Sequence, residues 1–170
     1  KLLYIVVSVI IPVFNEERYI RRSLASFLPN DEVEAIVVDG GSTDATRSLL
    51  VRWSVQVLEH QRDRALQMNA GAQRARGDIL LFLHADCALE PAAFTHIKES
   101  INRGYVGGCL SQTIDSSRSI YRMIERSGNM RAKVSGIFYG DQAIFARRDV
   151  FKDIGGFDPV SLFDDVLFSK

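Results

Sequence analysis

Four short runs of β-branched and aliphatic residues, each leading into a polar loop and a helix-like stretch, constrain this chain more than any other feature. Tyr4 to Ile11, Val33 to Val38, Val55 to Glu59 and Ile79 to Leu83 form the series. A strand that is apolar along its length, rather than at every second residue, is buried on both faces. Strands of that kind alternating with helices predict an open, mainly parallel α/β sheet with right-handed crossovers. Pro12, which has no N–H to give a ladder, is expected to end the first strand.

The intervening segments read as helices. Asn15 is placed to cap the first, with Glu16 and Glu17 in its opening turn and Ile20, Leu24, Phe27 and Leu28 along its apolar stripe. Asp39-Gly40-Gly41-Ser42-Thr43-Asp44 reads as a tight polar loop before a helix over 45–53, and a third helix over 64–76 is expected to stop at Gly77 through a positive φ. Beyond Asp86 the predicted order is a helix over 91–102, a strand over 105–114, a helix over 117–134, a strand at 144–146 and a short helix near 149–154.

With 170 residues, 46% of them hydrophobic, the chain can build one core, and a single domain spanning 1–170 is expected. Twenty-one basic and twenty-one acidic side chains leave a formal net charge of zero, which removes the broad basic footprint of a duplex nucleic-acid binder. Cys87 and Cys109 have neither disulfide-scaffold nor zinc-site spacing, so a reducing, cytoplasmic setting is expected. No apolar run approaches the ~18 residues of a membrane span.

Ligands of open α/β sheets bind at the carboxyl ends of the strands. The sequence puts Asn15 and Glu16 after the first strand, Asp39 at the end of the second, Arg62 and Arg64 after the third, and His84 and Asp86 after the fourth. Each has an ordinary structural explanation: a cap, a turn residue, a solvated cation, a strand-end histidine. Their convergence on one edge is what suggests a pocket. The first strand lacks a G-x-G-x-x-G loop, and neither a phosphate-cradling G-x-x-x-x-G-K-[ST] nor a G-x-S-x-G nucleophile elbow occurs. Carboxylates beside arginines suit a divalent cation, Mn²⁺ or Mg²⁺, bridging a diphosphate, with Asp39 or a neighbour accepting from a base or ribose. Asp86 is the foremost oxygen ligand, and His84 beside it would favour Mn²⁺.

Ser8 to Glu17, Val37 to Asp44, Asn69-Ala70-Gly71 with Gly77-Asp78, and Phe82 to Asp86 resemble the ordered motifs of family 2 glycosyltransferases. The resemblance implies a GT-A fold and inverting transfer from a nucleoside-diphosphate sugar, a UDP-sugar foremost, to an acceptor hydroxyl. It implies that Pro12, Asn15 and Glu16 line the nucleotide pocket and that Asp39 holds the base. Arg64 and Asn69 would lie beside the sugar-diphosphate, and Asp86 would be the metal ligand closing a D-x-D-like motif whose first position is His84. Residues 1–86 would form the donor half and 87–170 the acceptor half.

Gly140-Asp141-Gln142, Arg147 and Gly155-Gly156-Phe157 resemble the family's acceptor-side segment, and Asp164-Asp165 its late E-D motif, with Asp165 as the catalytic base. Arg64 to Gly71 with Leu83 to Asp86 is similar to a small bacterial subgroup named for radical-SAM, selenium-related or arsenosugar genes. The processive Q-x-x-R-W signature is absent, which points away from a polymerase. The family continues past the motif that Asp165 completes, so a truncated acceptor half is expected, and lipid-linked acceptors among relatives leave peripheral membrane contact open. A catalytically silent nucleotide-sugar-binding or partner-binding domain, or a nucleotidyltransferase lacking its glycine-rich loop, are the competing readings.

Overall fold

The computed structural model describes residues 5–27 and 29–158. Its centre is a six-stranded sheet in the order β3-β2-β1-β4-β6-β5. The apolar runs become β1 (Val7–Val13), β2 (Val33–Asp39), β3 (Gln56–Glu59) and β4 (Ile79–Phe82), all parallel. Val7, Val9 and Ile11 face one core and Ile10 the other, so both sides of β1 are buried, as its continuous apolarity requires.

The first core is closed by α1 (Ile20–Ala25), α2 (Thr46–Leu50) and α4 (Ala93–Asn102) through Ile20, Leu24, Leu50, Ala93 and Ile97. Across the sheet, α3 (Arg64–Arg74) and α6 (Arg148–Asp153) supply Ala65, Met68, Ala72 and Phe151. There the Phe82, Phe151 and Phe157 rings meet with centroids 4.8–5.4 Å apart. α3 lies close to the strands because residue 71 is glycine: a Cβ at Gly71 would sit 2.4 Å from Ile10 Cγ2.

The final two strands are β5 (Gly107–Cys109) and β6 (Ile144–Arg147), joined through α5 (Ser119–Ser135) and a 3₁₀ turn, Gly140–Gln142. β6 runs antiparallel to β4 with Phe82 opposite Ile144, and β5 antiparallel to β6 with Cys109 opposite Ile144. That register carries the 140–142 turn and the chain leaving β5 to the same edge as the carboxyl ends of β1, β2 and β4.

Several local expectations change. Pro12 stays within β1, opposite Val38, because pairing to β4 has already ended at Ile10–Phe82 and no ladder bond is asked of its nitrogen. The first helix starts at Ile20, not at Asn15, whose φ of 56° is left-handed. α3 stops at Arg74 with an extended Ala75 as its cap, and Gly77 is absent from the positive-φ residues. Glycine is needed at 77 for space, since a Cβ would approach Ser8 Oγ to 2.5 Å. Of the strand predicted over 105–114, only 107–109 forms the ladder; Leu110 N–H donates to the Gln142 carbonyl, and the N–H groups of Gln112 and Ile114 turn to the α5 side chains of Asn129 and Glu125 instead. No described helix is long and apolar enough to cross a membrane.

Candidate donor-binding edge

Chain connections run outward from β1 to β2 and β3, then return to place β4 on the other side of β1. The carboxyl ends of β1 and β4 therefore flank the switch point, where a crevice opens in sheets of this kind. Glu16 follows β1 and Asp86 follows β4. Burial, followed by the negative charges of Asp86 and Asp44, raises the Glu16 carboxyl above its ordinary value. Asp86 itself is exposed, in a turn closed by the Cys87 N–H donating to the His84 carbonyl at 3.0 Å.

The loops after β1 and β2 hold each other. Asn15 Oδ1 accepts from the main-chain N–H groups of Thr43 (2.8 Å) and Asp44 (3.3 Å), while Asn15 N–H donates to Ser42 Oγ (2.9 Å). Glu16 N–H donates to Thr46 Oγ1 at 2.7 Å, and Glu17 Oε2 accepts from Ala45 N–H at 2.9 Å. Asn15 thus caps the neighbouring loop rather than its own helix, a use of the asparagine side chain that left-handed backbone at that residue permits.

Asp39 lies beneath this clasp with its side chain 0% exposed; its carboxylate accepts from Ser42 N–H and Oγ and sits 3.6 Å from Arg47 Nε. Its oxygens organise the loop floor and do not open to solvent. Gln67, on α3, is the residue the sequence reading missed: its buried Nε2 donates to the carbonyls of Val13 (3.0 Å) and Val38 (2.7 Å), locking the ends of β1 and β2 together. An amide within an otherwise apolar stripe of Ala65, Met68 and Ala72 was the available signal. Arg62 covers the Phe14 ring at 3.9 Å, fixing another strand-end loop.

The remaining expected residues divide. Pro12 borders the edge at the end of β1, and Arg64 and His84 line one small cavity with Met68, Phe82, Gly140, Ile144 and Phe157. Asn69 is drawn away: its Nδ2 donates to the Phe157 carbonyl at 2.8 Å and its Oδ1 accepts from Phe157 N–H at 2.9 Å, so its amide tethers the Gly155–Phe157 segment. Asp164 and Asp165 lie outside the described residues.

A divalent cation fits this edge as an ion only partly ligated by protein. Asp86 offers an exposed oxygen ligand, and its charge with that of Asp44 adds to burial in raising Glu16. Among the described residues no group of three His, Cys, Asp or Glu side chains forms a metal cage. His84 and Asp86 therefore make no closed site, and the arrangement suits an ion whose remaining ligands are phosphate oxygens and water.

A six-stranded mixed sheet with a crevice at the β1/β4 switch point is the GT-A architecture. The chain superposes on the S. aureus TarS 1–349 structure in complex with UDP-GlcNAc with a TM-score of 0.75 at 20% identity, covering 96% of this chain and 52% of that one. On the mannosyltransferase PcManGT from Pyrobaculum calidifontis, in complex with GDP-Man and Mn²⁺, the TM-score is 0.75 at 24% identity, covering 99% and 51%. Residues 8–155 match glycosyl transferase family 2, and the chain belongs to that family. It is 30% identical over 171 residues to glycosyltransferase AglE of Haloferax volcanii, covering 89% of this chain and 55% of AglE. The chain thus spans about half the length of these relatives.

Proposed function

We propose that this chain is the donor-binding and catalytic part of an inverting glycosyltransferase that moves a sugar from a nucleoside-diphosphate sugar to an acceptor hydroxyl. The observation that carries the reading is the placement of Glu16 and Asp86 after the two strands that flank the β1/β4 switch point of a family 2 chain. The clasped loops after β1 and β2 form the wall against which the nucleoside rests. Asp39 acts from beneath that wall, by shaping it.

Asp86 would hold the divalent cation, which when bound neutralises charge on the departing diphosphate. Arg64, exposed at the start of α3, adds a second positive contact for those phosphates. Asp165 accepts the acceptor hydroxyl's proton as that oxygen bonds to the anomeric carbon; the bond from that carbon to the diphosphate oxygen breaks, and its electron pair leaves with the diphosphate. One displacement from the opposite face inverts the configuration. TarS and PcManGT, captured with UDP-GlcNAc and with GDP-Man, support a uridine or guanosine diphosphate donor, and the Arg64–Gly71 and Leu83–Asp86 motifs support the bacterial radical-SAM-associated subgroup.

Thermal unfolding with UDP, GDP or dTDP and Mn²⁺, Mg²⁺ or EDTA tests the donor site. A nucleotide at 100 times its dissociation constant stabilises the fold by about 2.7 kcal/mol, a rise of roughly 5–11 °C at this size. Loss of that rise with EDTA, and in Asp86→Asn, is the expected result. No rise with any nucleotide overturns the donor site and leaves a partner-binding domain. Asp165→Asn is expected to keep nucleotide binding while transfer falls; full transfer by that variant removes Asp165 as the base.

A further inference from the structure

The segment that follows α6, Gly155 to Phe157, belongs to no helix or strand, yet it is attached in three ways. Gly155 and Gly156 are left-handed, at φ 87° and 84°, and their N–H groups return to the Lys152 and Phe151 carbonyls to close α6. The Phe157 ring is 2% exposed and stands edge-on to Phe82 and Phe151. The third attachment is Asn69, whose amide engages both polar groups of the Phe157 main chain as a neighbouring strand would.

Glycine at 156 is a condition of that clamp, because a Cβ there would sit 2.6 Å from Asn69 Oδ1. An amide used in this way, donor to carbonyl and acceptor to N–H, specifies one placement of the segment. The place it specifies borders the proposed donor site. Phe157 lines the small cavity that Arg64 and His84 share, and from Phe157 the chain runs on to Asp165. α3 carries both anchors, with Arg64 in its first turn and Asn69 in its second.

The rest of the donor edge is held independently. Asn15 joins the loops after β1 and β2 through Ser42, Thr43 and Asp44, and the turn of His84 to Asp86 is closed by Cys87 N–H. Releasing Phe157 therefore leaves those contacts standing and frees the segment that leads to the proposed base.

Resting on the proposed transferase reading, we infer that Asn69 is a positioning residue for the transfer step. By clamping the Phe157 main chain to α3 it fixes the origin of the chain that carries Asp165 and keeps Phe157 in the cavity wall beside Arg64 and His84. Its amide is engaged by Phe157, which leaves the diphosphate to Arg64. Its effect falls on turnover rather than on nucleotide affinity, because misplacing a reacting group by about 1 Å costs about 100-fold in rate.

The test follows release of UDP from UDP-glucose and UDP-GlcNAc, and of GDP from GDP-mannose, in Mn²⁺ with glycerol or water alone as acceptor. Calorimetry of UDP and GDP and a urea midpoint accompany each protein. Asn69→Ala should lose about 10- to 100-fold in kcat while the donor KM and the nucleotide dissociation constant keep their wild-type values. Asn69→Asp, which retains an acceptor for Phe157 N–H and loses the donor to its carbonyl, should fall between the two. Gly156→Ala disturbs the contact from its other side with Asn69 in place, and should give the same split between kcat and KM. Combined with Asn69→Ala its loss should be less than additive, since the new methyl no longer meets the amide.

A weaker nucleotide affinity with kcat unchanged would return Asn69 to the donor and overturn the assignment. A lower urea midpoint with kcat and KM both unchanged overturns it too, as the result of a purely structural tether. Wild type that binds UDP or GDP yet releases neither from any of these donors overturns the transferase reading instead, and wild type that binds neither overturns the donor site. Both of those failures are read before any substitution is made, so they are distinct from a failure of Asn69.

Discussion

The two sides of β4 are built on different principles. Toward β1 and β2 the chain is a parallel ladder with fully buried aliphatic residues on both faces, bordered by β3, which as an edge strand is largely exposed rather than buried as its apolar run suggested, and its strand-end loops are fastened by main-chain and short side-chain hydrogen bonds. Toward β6 and β5 the ladder is antiparallel and short, and long polar side chains replace much of the apolar packing. On α5 only Glu125 is buried, while Met123 is 67% and Val134 79% exposed. The first side makes a closed, hydrogen-bonded floor beneath the proposed donor site. The second supports one turn, 140–142, and leaves a face of α5 uncovered among the described residues.

Substitutions on the two sides should therefore differ in size and even in sign. The largest effect is expected at Gln67. Gln67→Leu keeps the volume but removes the two buried bonds to the Val13 and Val38 carbonyls, of which Val13 still accepts from Gly40 N–H, and should cost about 2–3 kcal/mol, read as a lower urea midpoint. A loss below about 1 kcal/mol would mean that water replaces the amide and that the floor is less closed than described. Next comes Gly71→Ala, whose methyl would meet the buried Ile10; about 2 kcal/mol, or roughly 4–8 °C in Tm, is expected.

Asn15→Ala should cost about 1–2 kcal/mol, since it removes the bonds to Thr43 and Asp44 and places alanine at positive φ, and nucleotide binding should weaken with it. On the other side the sign reverses. Gly128→Ala, whose methyl would meet nothing nearer than Gln112 Oε1 at 3.8 Å, should stabilise α5 by about 0.5–1 kcal/mol. Destabilisation there would show that α5 is as tightly packed as α3.

The smallest effect is a pH dependence. The raised carboxyl of Glu16 contributes stability that is fully present below its ordinary value of 4.5 and is lost as pH rises through the higher folded value. Glu16→Gln, neutral throughout, should unfold at a slightly higher temperature than wild type at pH 7 and at the same temperature below pH 4.5. A gain that persists at low pH would assign the effect to packing rather than charge.

Much of the parallel side was legible because its signals are local. Continuous apolarity marked β1, β2 and β4, and the acids after them fell on the predicted edge. The errors there come from partners distant in sequence. Asn15 has the chemistry of a helix cap, and the sequence names its own helix; folding supplied Thr43 and Asp44 as the partners instead. Asn69 stands one residue from the α3 face that packs on the sheet, and its use by Phe157 depends on a contact 88 residues away.

The sequence by itself determined the alternation of strands and helices, because side-chain periodicity reports burial one element at a time. It also determined which residue types reach the carboxyl edge. Only the tertiary structure decided that β6 enters the sheet antiparallel beside β4, with β5 outside it, and so brings Asp141 to the turn of Asp86. The physical reason is that strand pairing is a contact between segments some sixty residues apart, fixed by which apolar faces remain uncovered once the parallel strands have assembled, and no local pattern in either segment carries that information.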